Sequence, residues 1–156
     1  MKYVVDASVA LKWFVQEDGH LNALRLTSRA LSLMAPDIVL AEVANALRRQ
    51  VRMKMVTDEQ ASAAVKIMLR ELTELTSSRD LIENAVRLSS QLDHSVYDCM
   101  YLAAAMTEDD RVLVTADMKF AAKAAAAGFG KKIAVLEAIP ATGLTGFNDG
   151  LENDNG

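Results

Sequence analysis

Four acidic residues, Asp6, Glu42, Asp98 and Asp117, stand in separate segments of the chain where chemistry can be built. Asp6 and Asp117 each follow a run of β-formers (Lys2-Tyr3-Val4-Val5 and Arg111-Val112-Leu113-Val114-Thr115) and precede a helical stretch. That position suits a helix N-cap. It is also the carboxyl end of a strand, where open parallel sheets keep their ligand crevice. Asp98 lies three residues after Ser95, the spacing of a capping box. Its neighbours Val96, Tyr97, Cys99, Met100, Tyr101 and Leu102 are nearly all apolar, so its charge is expected to be partly desolvated and to need a partner. Glu42 is followed by Asn45 at i+3 and Arg49 at i+7, a polar stripe along one helix. Singly, each acid is accounted for as a cap or a solvated charge. Gathered in one crevice, they would repel and lift one another's pKa. A hard divalent cation with oxygen ligands, Mg²⁺ or Mn²⁺, removes that conflict. With Cys99, His20 and His94 as its only cysteine and histidines, the chain offers no usable zinc set, and no Ser–His or Cys–His arrangement supplies a covalent nucleophile.

The elements that must position these acids alternate between strand and helix. Residues 2–6 read as a buried strand and 8–15 as a helix. Asp18 to Leu33 is expected to be a second helix, from the spacing of Leu21, Leu24, Ala30 and Leu31, with Met34-Ala35-Pro36 as a break. Ile38 to Lys54 follows as a long helix with Leu40, Ala44, Leu47 and Val51 on its apolar face. Thr57-Asp58-Glu59-Gln60 is a capping signal for a helix running to about Leu72. Residues 74–77 make a short strand, and helices are expected over 80–92 and 96–106. Arg111 to Thr115 is a clear strand, Asp117 opens an alanine-rich helix that Gly128-Phe129-Gly130 ends, and residues 133–136 form a third strand. This alternation predicts an α/β fold with a parallel sheet covered on both faces.

Length and composition agree with a single domain. At 156 residues, 51% hydrophobic and 24% charged, the chain excludes disordered and low-complexity classes. Folding at this size buries roughly 70% of the unfolded surface, enough for a core without disulfide or metal staples. Seventeen basic residues against 21 acidic ones give a net charge of −4, and three of the acids (Asp149, Glu152, Asp154) fall in the last stretch. Residues 1–140 are therefore expected to be a near-neutral domain, and residues 141–156, with four glycines and no base, a mobile acidic tail. Lys2, Asp6 and Lys12 interrupt the apolar N-terminus, so no secretory signal is expected there, and no apolar run reaches the length of a membrane span. A lone cysteine suits the reducing cytoplasm. A near-neutral body confines any nucleic-acid contact to a local basic patch. The best is Arg48-Arg49-Gln50-Val51-Arg52-Met53-Lys54, with Arg49 and Arg52 as phosphate contacts and Lys12 as a weaker candidate. Aromatic residues, at 5%, are too sparse for a base-stacking platform.

Four of these segments carry a resemblance. Val4-Val5-Asp6-Ala7-Ser8, the run from Pro36 to Glu42-Val43-Ala44-Asn45, Ser95-Val96-Tyr97-Asp98-Cys99-Met100-Tyr101-Leu102-Ala103-Ala104, and Leu113-Val114-Thr115-Ala116-Asp117 together resemble a PIN domain. More narrowly, they are similar to the VapC toxins of VapBC toxin–antitoxin pairs, over about residues 1–136. The resemblance implies a three-layer α/β/α sandwich with a small parallel sheet and a ribonuclease dependent on Mg²⁺ or Mn²⁺. Asp6, Glu42, Asp98 and Asp117 match the family's four acids, with Ser8, Asn45 and Thr115 at the polar positions that support them. It also implies an RNA substrate, a cognate antitoxin that grips helices near the pocket, and a homodimer. Trp13 and Phe14 are expected in the core, or else on that antitoxin surface. Three other readings stay open. One is a non-toxin PIN ribonuclease that processes a housekeeping RNA, whose pocket would be the same. Another is a receiver-type phosphoacceptor domain, disfavoured because no aspartate ends the segment 74–77. The third is an inactive PIN scaffold that binds without cutting.

Overall fold

Five short strands pair into one parallel sheet in the computed structural model, which describes residues 2–27 and 32–139. They are β1 (Lys2–Val5), β2 (Ser32–Pro36), β3 (Glu74–Thr76), β4 (Arg111–Thr115) and β5 (Ile133–Val135). Their order across the sheet is β3-β2-β1-β4-β5. The chain steps outward from β1 through β2 to β3, then returns to the other side of β1 for β4 and β5. The direction of winding thus reverses between β1 and β4, and such a switch point opens a crevice at the carboxyl ends of the two strands. Receiver-like sheets have the order 2-1-3-4-5, so the phosphoacceptor reading is excluded. The register sets Val5 opposite Val114, which leaves Asp6 beside Thr115 at that crevice.

Among the described residues seven α-helices flank the sheet and complete the expected three-layer α/β/α sandwich: α1 (Ala7–Leu11), α2 (His20–Leu26), α3 (Ile38–Arg52), α4 (Asp58–Glu71), α5 (Ser78–Leu92), α6 (Val96–Ala105) and α7 (Met118–Ala124). From Cys99 to Ala105 every residue of α6 is buried, as befits a helix that is apolar all round. It packs across β1, β2 and β4, and α5 covers it. On their own side α1 meets β4 and α3, and α3 meets β2 and α4. At the amino-terminal edge of the sheet, the buried Arg111 guanidinium donates to Thr107 Oγ1 (2.7 Å) and to Glu74 (3.2 Å) and Glu108.

The structure corrects four expectations. Residues 32–36 are the strand β2, where a helix end and a break were expected. Leu33, Met34 and Ala35 are all buried, and a strand covered on both faces shows no alternation, so its apolar run merges by spacing with the helix before it. Residues 28–31, on which that longer helix partly rested, lie outside the described residues, as does the expected tail 141–156. Helix α1 ends at Leu11 because the chain turns there to bury Trp13, whose Nε1 donates to Ala23 O (3.0 Å). Trp13 is therefore core. The buried row of α3 is Val39, Val43 and Leu47, while Ala44 is exposed, since alanine favours a helix on either face. Finally α7 gives way to a π-helical turn (Ala125–Phe129), closed by Gly128 at φ +96°, a conformation glycine adopts without strain. The capping box of α4 forms as expected, Thr57 and Gln60 each accepting the other's backbone N–H. Among the described residues no helix is long and apolar enough to cross a membrane.

Candidate active site

Asp6 is both a cap and a pocket residue. At the end of β1 its Oδ1 accepts from Val9 N–H (3.0 Å), capping α1, and from the Ser8 hydroxyl (2.6 Å). Its Oδ2 accepts from the Thr115 hydroxyl. Thr115 accepts from the Asp117 backbone N–H (3.0 Å), and that bond leaves the hydroxyl proton free to point at Asp6. Asp117 in turn caps α7, accepting from Phe120 N–H through Oδ1 (2.9 Å). One threonine at the switch point thus ties the acid after β1 to the acid after β4.

Helix α6 brings the other two acids in. Tyr101, buried on α6, donates its hydroxyl to Glu42 Oε1 on α3 (2.8 Å). Three residues before it, Asp98 turns its carboxylate to His94, with Nε2 to Oδ2 at 2.7 Å, and does not close a capping box with Ser95. Ser95 caps α6 alone, accepting from Tyr97 N–H (3.2 Å).

Burial and mutual repulsion act on this group as carboxylates without a counter-ion require. The Asp6 carboxyl is raised above its ordinary range, first by burial, with Asp98 adding to the rise and the bonds from Ser8, Thr115 and Val9 opposing it. Glu42 is also raised, again first by burial, with Tyr101 opposing and the charges of Asp98 and Asp6 adding. The Tyr101 phenol is pushed far up by burial and by Glu42, so it stays a donor. Asp98 is the shared neighbour, because one ligand atom each from His94, Asp98 and Asp117 also lie within 4.8 Å of one another. A set of oxygen donors carrying this repulsion fits a hard divalent cation. Cys99, buried with its thiol pushed up to about 11, is no ligand at neutral pH.

The PIN domain family model matches residues 3–126, which spans all four acids. This chain belongs to the PIN domain family. The PIN domain is 33% identical over 129 residues to Ribonuclease VapC3 of Pyrobaculum aerophilum, covering 79% of this chain and 95% of that protein, so its likeness is of the VapC type. It also matches the crystal structure of PAE2754 from Pyrobaculum aerophilum, with a TM-score of 0.65 and 25% identity over 88% of this chain and 85% of the other.

The remaining expected residues fall differently within this PIN domain. Ser8 and Thr115 bond Asp6 directly. Asn45 is exposed on α3 one turn from Glu42, with no bond to the acids among the described residues. Arg49 and Arg52 are exposed in the last turn of α3. Lys12 is not free for phosphate, because its ammonium is held by Glu17 Oε1 (3.1 Å) and Asp18 O (2.7 Å), and it closes the turn between α1 and α2. Two residues at the site had no role in the reading of the sequence. His94 was set aside with His20 for want of other zinc ligands, yet it stands four residues before Asp98, the spacing of helical neighbours. Tyr101, three residues after Asp98, was counted only as apolar.

Proposed function

We propose that this PIN domain is a divalent-metal-dependent ribonuclease that hydrolyses RNA phosphodiester bonds in the cytoplasm, as the toxin of a type II toxin–antitoxin pair. The observation that supports the reading is that the Asp98 charge reaches both Asp6, at the carboxyl end of β1, and Glu42, whose carboxyls burial and repulsion raise. Asp6 and Asp98 would be the main residues to hold Mg²⁺ or Mn²⁺, and Glu42 and Asp117 would complete the set. The ion, when bound, supplies an acidified, oriented water and neutralises charge on the reacting phosphate. The protein's part is orientation. Three donors fix both oxygens of Asp6, and Tyr101 fixes one oxygen of Glu42, so neither carboxylate must reorganise as charge develops. The Ser8 hydroxyl donates to Asp6 and helps hold that carboxylate in place.

Incubation of a structured RNA with the purified chain tests the reading directly. Cleavage is expected with Mg²⁺ or Mn²⁺ and none with chelator; intact RNA in every arm would point to the inactive scaffold.

Arg49 and Arg52 sit at the open end of α3, on the helix that carries Glu42, and are proposed to position the RNA backbone. Exposed helix-end cations add little to folding. Arg49→Ala is therefore expected to leave the melting temperature unchanged while lowering the slope of log affinity against log salt by about 1. Measurement of RNA affinity across a salt series decides it, and an unchanged slope makes Arg49 an ordinary solvated charge.

The toxin reading includes a cognate antitoxin and a homodimer. The surface that suits an apolar antitoxin segment is a groove of about 590 Å³ between the turn after α1 and helices α3 and α4, lined by Phe14, Val15, Leu47, Met55, Ala64 and Ile67. Phe14 thus serves that groove while Trp13 serves the core.

A further inference from the structure

We propose that His94, Asp98 and Asp117 form a mixed nitrogen–oxygen cation position, which favours Mn²⁺, an ion that accepts an imidazole nitrogen beside carboxylate oxygens, over Mg²⁺. Nitrogen is the point of difference. Imidazole is a good ligand for the later divalent metals, whereas Mg²⁺ holds to oxygen and water.

Three local devices prepare the position. The first is the turn between α5 and α6, where Asp93 caps α5 at φ +47°, a left-handed conformation that Asp tolerates better than most residues. Lys123 of α7 donates to Asp93 O (2.8 Å) and pins that turn against the helix that Asp117 caps. The second is the ring of Phe120, on which the His94 imidazole stacks with centroids 4.4 Å apart and planes 19° from parallel. The same residue's N–H holds Asp117 Oδ1, so Phe120 seats one ligand by its ring and another by its backbone. The third is the free valence: Oδ2 of Asp117 and Oδ1 of Asp98 carry no hydrogen bond among the described residues.

The spacing suits one ion. The three ligand atoms lie within 4.8 Å of one another, and opposite ligands of an octahedral ion with bonds of about 2.1 Å are about 4.2 Å apart, so small side-chain rotations close the set. His94 Nε2 and Asp98 Oδ2, 2.7 Å apart, would both turn to the ion, the ring using Nε2 as ligand with its proton on Nδ1.

The inference rests on the proposed reading in sharing Asp98 and Asp117, and binding, not cleavage, tests it. Mn²⁺ and Mg²⁺ are titrated calorimetrically into the full chain and into His94→Phe, which keeps the stack on Phe120, and His94→Gln, which keeps a hydrogen bond to Asp98. His94→Phe and His94→Gln are each expected to weaken Mn²⁺ binding about 10- to 100-fold with a much smaller effect on Mg²⁺. Pulsed electron paramagnetic resonance of the bound Mn²⁺ is expected to show coupling to an imidazole nitrogen in the parent and none in either variant. Mn²⁺ bound without nitrogen coupling, or equal losses for both ions, would overturn the position and leave the nuclease reading standing. Nitrogen coupling in a protein that cuts no RNA would do the reverse.

Discussion

Asp98→Asn is expected to lower metal-dependent RNA cleavage by about 10²- to 10³-fold, the scale on which single preorganised charge-stabilising groups act. The loss is larger than for any neighbour because Asp98 belongs to both halves of the site. Its charge raises the carboxyls of Asp6 and Glu42, and it stands within ligand distance of His94 and Asp117. Asparagine keeps the volume and an oxygen to accept from His94, so the fold and the start of α6 are preserved. Ser95 caps that helix without help from Asp98. Parent and variant are compared on one structured RNA at saturating Mg²⁺ or Mn²⁺. Parent-like rates in the variant would remove Asp98 from the reaction.

A divalent ion should also stabilise the folded chain strongly. At a concentration 100 times its dissociation constant, mass action contributes about 2.7 kcal/mol. For a chain of this size that raises the melting temperature by about 5–10 °C. The pH dependence without metal follows from the raised carboxyls of Asp6 and Glu42. Both bind their protons more tightly folded than unfolded. Stability is therefore full below the ordinary carboxylate range and is lost as pH rises through the raised folded values. Added metal should offset that loss above the window and do little below it, where the ligands are protonated. The variants separate repulsion from capping. Asp98→Asn relieves the charge on Asp6 and Glu42, so without metal at neutral pH it should melt at or above the parent, with most of the metal increment gone. Asp6→Asn should melt lower, because three donors converge on that carboxylate and an amide can accept from fewer of them. Thermal melts in chelator and in Mn²⁺, at acid and neutral pH, give the comparison. Identical parent melts with and without Mn²⁺ at neutral pH would count against a metal site at these acids.

The sequence by itself determined the alternation of strands and helices, the strands that end at Asp6 and Asp117, and the apolar setting of Asp98. Each is a local property. A run of β-formers ending in an acid, or an acid within a wholly apolar helix, is visible within about ten residues of chain. Where the local signal was missing, the sequence was silent or misleading. In β2 both faces are buried, so Leu33, Met34 and Ala35 show no alternation. The sheet order was decided in three dimensions, and with it the switch point that makes the ends of β1 and β4 a crevice. So were the partners at the site. Asp6 meets Thr115 across 109 positions and Glu42 meets Tyr101 across 59. No spacing rule reaches so far, because these contacts exist only once β1, α3, α6 and β4 have packed. The two readings of the acids, cap or ligand, were alternatives along the chain and became compatible in the fold. A carboxylate has two oxygens, and Asp117 caps its helix with one while the other stays free to face a cation.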